Sequence, residues 1–145
     1  MRYVKQTLQF ILPDNIRKNI LNELVSKYNI SKNVSDYYLT KEEILIMKDN
    51  GMEFGLHTEN HKRLELLSKS DQKREIIDNL KILKENNVLP ELKAIAYPFG
   101  SYNEDTLKIL DELKINLGFA ANKTLEINDS LEIKRIDCNV LKEDM

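Results

Sequence analysis

Cysteine occurs once in this chain, tryptophan is absent, and there are only two histidines, three prolines and four glycines. The lone Cys138 excludes an internal disulfide, so the fold must hold by packing alone, and a reducing compartment is the simpler expectation. Its sequence context fits a half-buried strand residue. No run approaches the roughly 18 apolar residues that a membrane span needs. The opening Met-Arg-Tyr-Val-Lys is polar rather than the apolar core of a signal peptide. Neither sign of charge dominates: 22 basic and 24 acidic residues are interspersed along the chain. This leaves no electrostatic footprint for nucleic acid or for an anionic membrane. These absences predict a cytoplasmic chain of 145 residues with one sizeable core.

What is present is a strong alternation of periods. From Arg2 to Tyr28 apolar residues recur at helical spacing, with Ile16, Ile20, Leu21, Leu24, Val25 and Tyr28 on one stripe and Pro13 dividing two helices. The polar, aperiodic stretch Asn29 to Tyr38 reads as a loop. Residues 1–37 are therefore expected as a helical insertion or N-terminal segment and 38–145 as the α/β part. Thr40-Lys41-Glu42-Glu43 has the form of a capping box, and Asn50-Gly51 that of a helix stop, which predicts a helix from about Lys41 to Asn50. Met52 to Leu56 then reads as a strand aimed at His57.

Ser70-Asp71 opens the next predicted helix, with Ile76, Ile77, Leu80 and Leu83 on its core face and Asn86-Asn87 and Pro90 at its end. Lys93 to Pro98 is a compact apolar run, expected as a buried strand that leads into the turn Phe99-Gly100-Ser101-Tyr102. Asn103 caps a helix carrying Leu107, Leu110 and Leu113. Leu117 to Ala121 and Leu131 to Asn139 complete the pattern as strands. Helices and strands alternating at these lengths predict an α/β fold with a parallel sheet.

Both histidines fall within His57-Thr58-Glu59-Asn60-His61. Random placement would set two histidines four apart on the order of once in a hundred arrangements. Neutral imidazole is a preferred ligand of zinc, and two imidazoles four residues apart can converge on one ion; the alternative is a pair of solvated loop residues. His57 follows a predicted strand, and parallel sheets build their sites at the carboxyl ends of strands.

The segment from Leu39 to His61, ending in histidine-threonine-x-x-histidine, resembles the metal-binding motif of polysaccharide deacetylases of the nodulation type. Ala96-Tyr97-Pro98-Phe99-Gly100-Ser101-Tyr102-Asn103 is similar to that family's next motif, one strand later. The resemblance covers about Tyr38 to Asn139, the C-terminal part of the family's domain. It implies a partial (β/α) deacetylase barrel and a divalent metal, zinc first among them, held by two histidines and an aspartate. The substrate it implies is an acetylated saccharide, of the kind used in surface-polysaccharide synthesis. Carried over by motif, His57 and His61 are the metal ligands, and Thr58 supports the turn between them through its hydroxyl. Tyr97, Pro98 and Phe99 line the substrate groove, with the Phe99 amide facing the developing oxyanion.

Three features depart from the family pattern. No aspartate pair follows an apolar strand ahead of His57: Asp14 lies in a helical stretch and Asp36 in a polar loop, both better read as caps or solvated charges. Ala96 stands where many members carry an arginine. No histidine follows His61, and Arg135 and Asp137, on a late strand, read as a structural ion pair. The catalytic base is thus unassigned, which leaves two further readings open. In one the chain is a carbohydrate- or metal-binding remnant without turnover; in the other the open edge of a half-barrel pairs with a second copy or a complementing chain.

Overall fold

The computed structural model describes residues 3–4, 7–30, 37–121 and 129–136. Two compact units emerge, Met1–Thr40 and Lys41–Met145. No helix among the described residues is long and apolar enough to cross a membrane.

In the first unit a π-helical turn, Thr7–Ile11, precedes α1, Asp14–Lys27. Pro13 has its φ preset at -54° and stands just ahead of the first turn, where a missing N–H costs nothing. It separates the two elements as the sequence predicts. Of the predicted stripe, Ile20 and Val25 are half-buried, whereas Ile16, Leu21, Leu24 and Tyr28 are exposed. Asp14 is the first residue of α1, and Asp36 lies outside the described residues.

The second unit contains α2 (Lys41–Asp49), α3 (Lys69–Glu85), β1 (Ala94–Ala96), α4 (Glu104–Glu112), β2 (Leu117–Ala121) and β3 (Ile133–Arg135). The three strands form a parallel sheet in the order β1-β2-β3. Leu56 extends it by one bridge to Ile95, donating its N–H to the Ala94 carbonyl at 2.8 Å and accepting from the Ala96 N–H at 2.9 Å. The predicted strand Met52–Leu56 is thus reduced to this single residue. The strand predicted over Lys93–Pro98 shortens to three residues, and within the described part of Leu131–Asn139, residues 131–136, the strand is Ile133–Arg135, while Leu117–Ala121 is found as predicted. Asp137 and Cys138 lie outside the described residues.

Two of the crossovers between parallel strands carry a helix, α3 between Leu56 and β1 and α4 between β1 and β2. The core they enclose includes Leu56, Leu64, Ile76, Leu83, Ile95, Tyr97, Ile109, Leu110 and Ala120. The helix faces differ from expectation. On α3 the buried residues are Gln72, Glu75, Ile76 and Leu83, with Ile77 and Leu80 only half-buried; on α4 they are Thr106, Ile109 and Leu110. The α3 cap also sits earlier than predicted, because Ser68 accepts from the Asp71 N–H at 3.2 Å. Asn103 caps α4 in a full capping box with Thr106, as predicted.

Polar residues enter the core where α3 meets α4. The Thr106 hydroxyl donates to Gln72 Oε1 at 2.6 Å, and Gln72 Nε2 donates to the Leu67 carbonyl and to Asn103 Oδ1. Both Gln72 and Thr106 are fully buried, and their mutual bond removes the penalty of burying either.

The four helices α1 to α4 end alike. The residue after each C-cap, Asn29, Gly51, Asn87 or Lys114, takes a left-handed φ, and two backbone bonds reach back to the last turn; at α3 these are Asn87 N to Lys84 O and Val88 N to Leu83 O.

Candidate metal and substrate site

The carboxyl ends of neighbouring strands bring the two motifs together. His57 follows Leu56, and the Pro98–Gly100 turn follows β1, so both leave the same end of a parallel sheet. The His57 Nδ1 lies 2.6 Å from the Ala96 carbonyl oxygen. A carbonyl can only accept, so Nδ1 carries the proton and the Nε2 lone pair is left for a ligand. A backbone carbonyl behind one imidazole nitrogen is the usual support of a metal-binding histidine.

The His57 and His61 rings stand edge to face with centroids 4.7 Å apart, and the Phe99 ring packs against His61 at the same distance. Lost hydration and the neighbouring His57 lower the pKa of His61 from 6.5, while a hydrogen bond involving its own backbone acts in the opposite direction. The neutral form that can bind a metal is therefore favoured.

Backbone strain gathers here. Six described non-glycine residues have positive φ; three of them, Asn29, Asn87 and Lys114, terminate helices. The other three, Thr58 (61°), His61 (53°) and Phe99 (59°), all belong to the site. Side chains pay for that conformation unless the surroundings enforce it, and such residues cluster where geometry serves function.

Around Thr58 and His61 the chain is held by a face of α3. Asn79 Oδ1 accepts the His57 N–H at 2.9 Å. The Glu75 carboxylate accepts the Asn60 N–H at 2.8 Å and the Asn60 Nδ2 at 3.0 Å, with the Lys62 ammonium 3.9 Å away. The Glu75 carbonyl accepts the Glu59 N–H at 3.1 Å. Thr58, expected to brace this turn, does not: its hydroxyl is buried and has no hydrogen-bond partner among the described residues. Glu75 and Asn79 escaped the sequence reading because they interrupt an apolar helix face. Their spacing with Gln72, Ile76 and Leu83 on one side of the helix was the available signal.

The proline motif divides its labour. Tyr97 is fully buried, its hydroxyl donating to the Leu131 carbonyl at 2.6 Å and its ring stacked on Tyr102. Pro98 is buried too, and only Phe99 shows its ring to solvent. Tyr97 thus faces the core, and of the three side chains expected along the groove Phe99 alone is open to a ligand. Gly100 is required on two counts: its φ is +68°, and a Cβ there would sit 2.7 Å from the Ala121 carbonyl oxygen.

The two imidazoles supply two donors suited to zinc by type and by proximity, and His57 by its tautomer as well. Among the described residues, no group of three or more histidine, cysteine, aspartate or glutamate side chains is placed to hold an ion. The Arg135 Nε is buried without a partner among those residues, and Asp137, its expected partner, lies outside them.

A parallel α/β sheet with a histidine pair at its carboxyl edge defines the class, and comparison with known proteins defines the family. Residues 10–118 match the polysaccharide deacetylase family, and the chain belongs to it. Over 82 residues it is 32% identical to YxkH of Bacillus subtilis (strain 168), itself assigned to the polysaccharide deacetylases; the match takes in 57% of this chain and 29% of YxkH. The Streptococcus pyogenes deacetylase PplD, solved in complex with acetate, superposes with a TM-score of 0.63 at 31% identity, over 81% of this chain and 57% of PplD. A de-N-acetylase from Aggregatibacter actinomycetemcomitans shares the fold, with a TM-score of 0.58 at 12% identity over 88% of this chain and 70% of that one. The chain thus spans less than a third of YxkH and little more than half of PplD.

Proposed function

We propose that this chain carries the histidine half of a metal-dependent site that removes acetyl groups from an acetylated saccharide. The observation that carries the proposal is the His57–His61 pair, with His57 oriented by the Ala96 carbonyl so that Nε2 is open. Family membership and the acetate bound to PplD support the substrate class.

His57 and His61 would hold the ion, and the chemistry a zinc-like ion supplies is Lewis-acid activation of water and polarisation of the acetyl carbonyl. The chain's own residues set the conditions. Ala96 fixes the His57 tautomer, lost hydration shifts His61 toward its neutral form, and the exposed Phe99 ring offers an apolar wall beside the histidines. The Phe99 amide, at the turn, is the candidate donor to an oxyanion.

Among the described residues no third histidine, cysteine, aspartate or glutamate joins the pair, which favours a second reading: a site completed by an acidic residue outside that set, including one from a second copy or a complementing chain. One experiment separates the readings. The purified chain is titrated with zinc by calorimetry and assayed for acetate release from N-acetylated chitooligosaccharides and from O-acetylated xylan. Zinc binding with acetate release establishes the enzyme; zinc binding without release supports completion by another acid. A chain that binds no zinc at all overturns the metal site.

A further inference from the structure

We propose that Glu75 and Asn79 are positioning residues, which hold the His57–His61 turn in its strained, ligand-ready form from outside the site. The proposal rests on the reading of His57 and His61 as a metal pair and assigns the residues that make the pair competent.

The geometry makes one helix face responsible for the whole turn. Asn79 takes the N–H of His57 at its start, the Glu75 carbonyl takes that of Glu59, and the Glu75 carboxylate takes both donors of Asn60, the residue before His61. Four hydrogen bonds on His57, Glu59 and Asn60 leave Thr58 and His61 as the points where the backbone turns left-handed. The Thr58 hydroxyl, with no hydrogen-bond partner among the described residues, shows no hold of its own on the turn. Glu75 is only 5% exposed, so its carboxylate is held in the interior by these same donors and by the Lys62 ammonium. A buried carboxylate is a costly way to pack a helix, and a turn that must not relax gives it a use.

The effect on the histidines is direct. Without Asn79 the His57 amide loses its acceptor, and the ring loses the backbone position from which Nδ1 reaches the Ala96 carbonyl. Glutamine in place of Glu75 keeps both attachments, because its carbonyl accepts the Asn60 N–H and its amide donates to Asn60 once that side-chain amide is rotated. Aspartate in place of Asn79 keeps an acceptor for His57.

The test compares Glu75→Ala and Asn79→Ala with Glu75→Gln and Asn79→Asp in two measurements. The first is zinc affinity by competition with a chromophoric chelator; the second is the His57 tautomer in the metal-free chain by nitrogen-15 imidazole spectroscopy. The alanine variants are expected to bind zinc roughly 10- to 100-fold more weakly, as loss of outer partners does at metal sites, and to lose the single Nδ1-protonated form of His57. The glutamine and aspartate variants are expected to stay within about threefold of the parent. If Asn79→Ala keeps parental zinc affinity and an unaltered His57 tautomer, the positioning role is overturned, whatever its thermal stability. If the parent chain binds no zinc, the metal reading fails, and the tautomer measurement alone decides whether α3 orients His57.

Discussion

Tyr97 and Gly118 face each other so closely that a Cβ on Gly118 would lie 2.3 Å from the Tyr97 hydroxyl and 2.2 Å from the Leu131 carbonyl oxygen that this hydroxyl donates to. The glycine on β2 is therefore what lets β1 deliver the proline motif. A buried phenol must find a partner, and the hydrogen bond of Tyr97 to Leu131 runs across the space a side chain at 118 would fill. Gly118→Ala is expected to destabilise the chain by about 3 kcal/mol, near the upper end of overpacking costs. Urea unfolding checks this, with Gly55→Ala as the milder control, since its Cβ would meet the Ala94 carbonyl oxygen at 3.2 Å.

The histidine pair makes a separable prediction. His57→Ala and His61→Ala are each expected to weaken zinc binding by more than the roughly 10- to 100-fold that an outer partner costs, with thermal stability nearly unchanged because both rings are exposed. Calorimetry beside thermal unfolding measures both quantities. A substantial fall in melting temperature with intact zinc binding would mark the histidines as structural.

Lys114 closes α4 with a φ of 53°, a conformation in which a Cβ crowds the following carbonyl. Lys114→Gly is expected to raise stability by about 0.5 kcal/mol, the relief of left-handed strain less the extra freedom of glycine in the unfolded chain. The midpoint of urea unfolding reads the difference. A fall would mean that the lysine side chain contributes more than its backbone costs.

Alkaline pH provides a test of the tyrosine pair. Loss of hydration, the hydrogen bond to Glu132 and the Glu132 charge push Tyr102 up to about 12, and burial moves Tyr97 in the same direction. The folded chain thus holds these protons more tightly than the unfolded chain, whose tyrosines titrate near 10.0. The Tyr102 contribution is complete below pH 10 and is lost as pH rises through about 12, and that of Tyr97 runs in the same direction. Urea midpoints at pH 8 and pH 11 should differ more in the parent than in Tyr102→Phe. Equal differences would remove Tyr102 from the account.

Much of the fold could be read from the chain. Pro13, Asn50-Gly51, Asn86-Asn87 and Asn103 mark helix ends where the structure has them, since caps and stops act within a few residues of backbone. The strand over Leu117–Ala121 and the parallel α/β class were likewise legible. Strand lengths were not. Pairing depends on a neighbour, and Met52–Leu56 has the composition of a strand but only one residue, Leu56, with a described partner. The helix faces of α3 and α4 misled for a related reason: hydropathy assigns Ile77, Leu80 and Leu107 to the core, whereas Gln72, Glu75 and Thr106 take that place by pairing with polar groups from distant parts of the chain.

The site divides in the same way. Sequence alone determined that His57 and His61 share a turn, that a proline-aromatic-glycine corner follows the next strand, and that residues 1–56 hold no aspartate pair after an apolar run, because residue type and spacing along the chain are local properties. Only the tertiary structure decided that Phe99 rather than Tyr97 faces outward, that Ala96 orients His57, and that Glu75 and Asn79 rather than Thr58 hold the turn. Those relations join residues from 15 to 39 positions apart, and a hydrogen bond over that separation exists only once helix and sheet have packed.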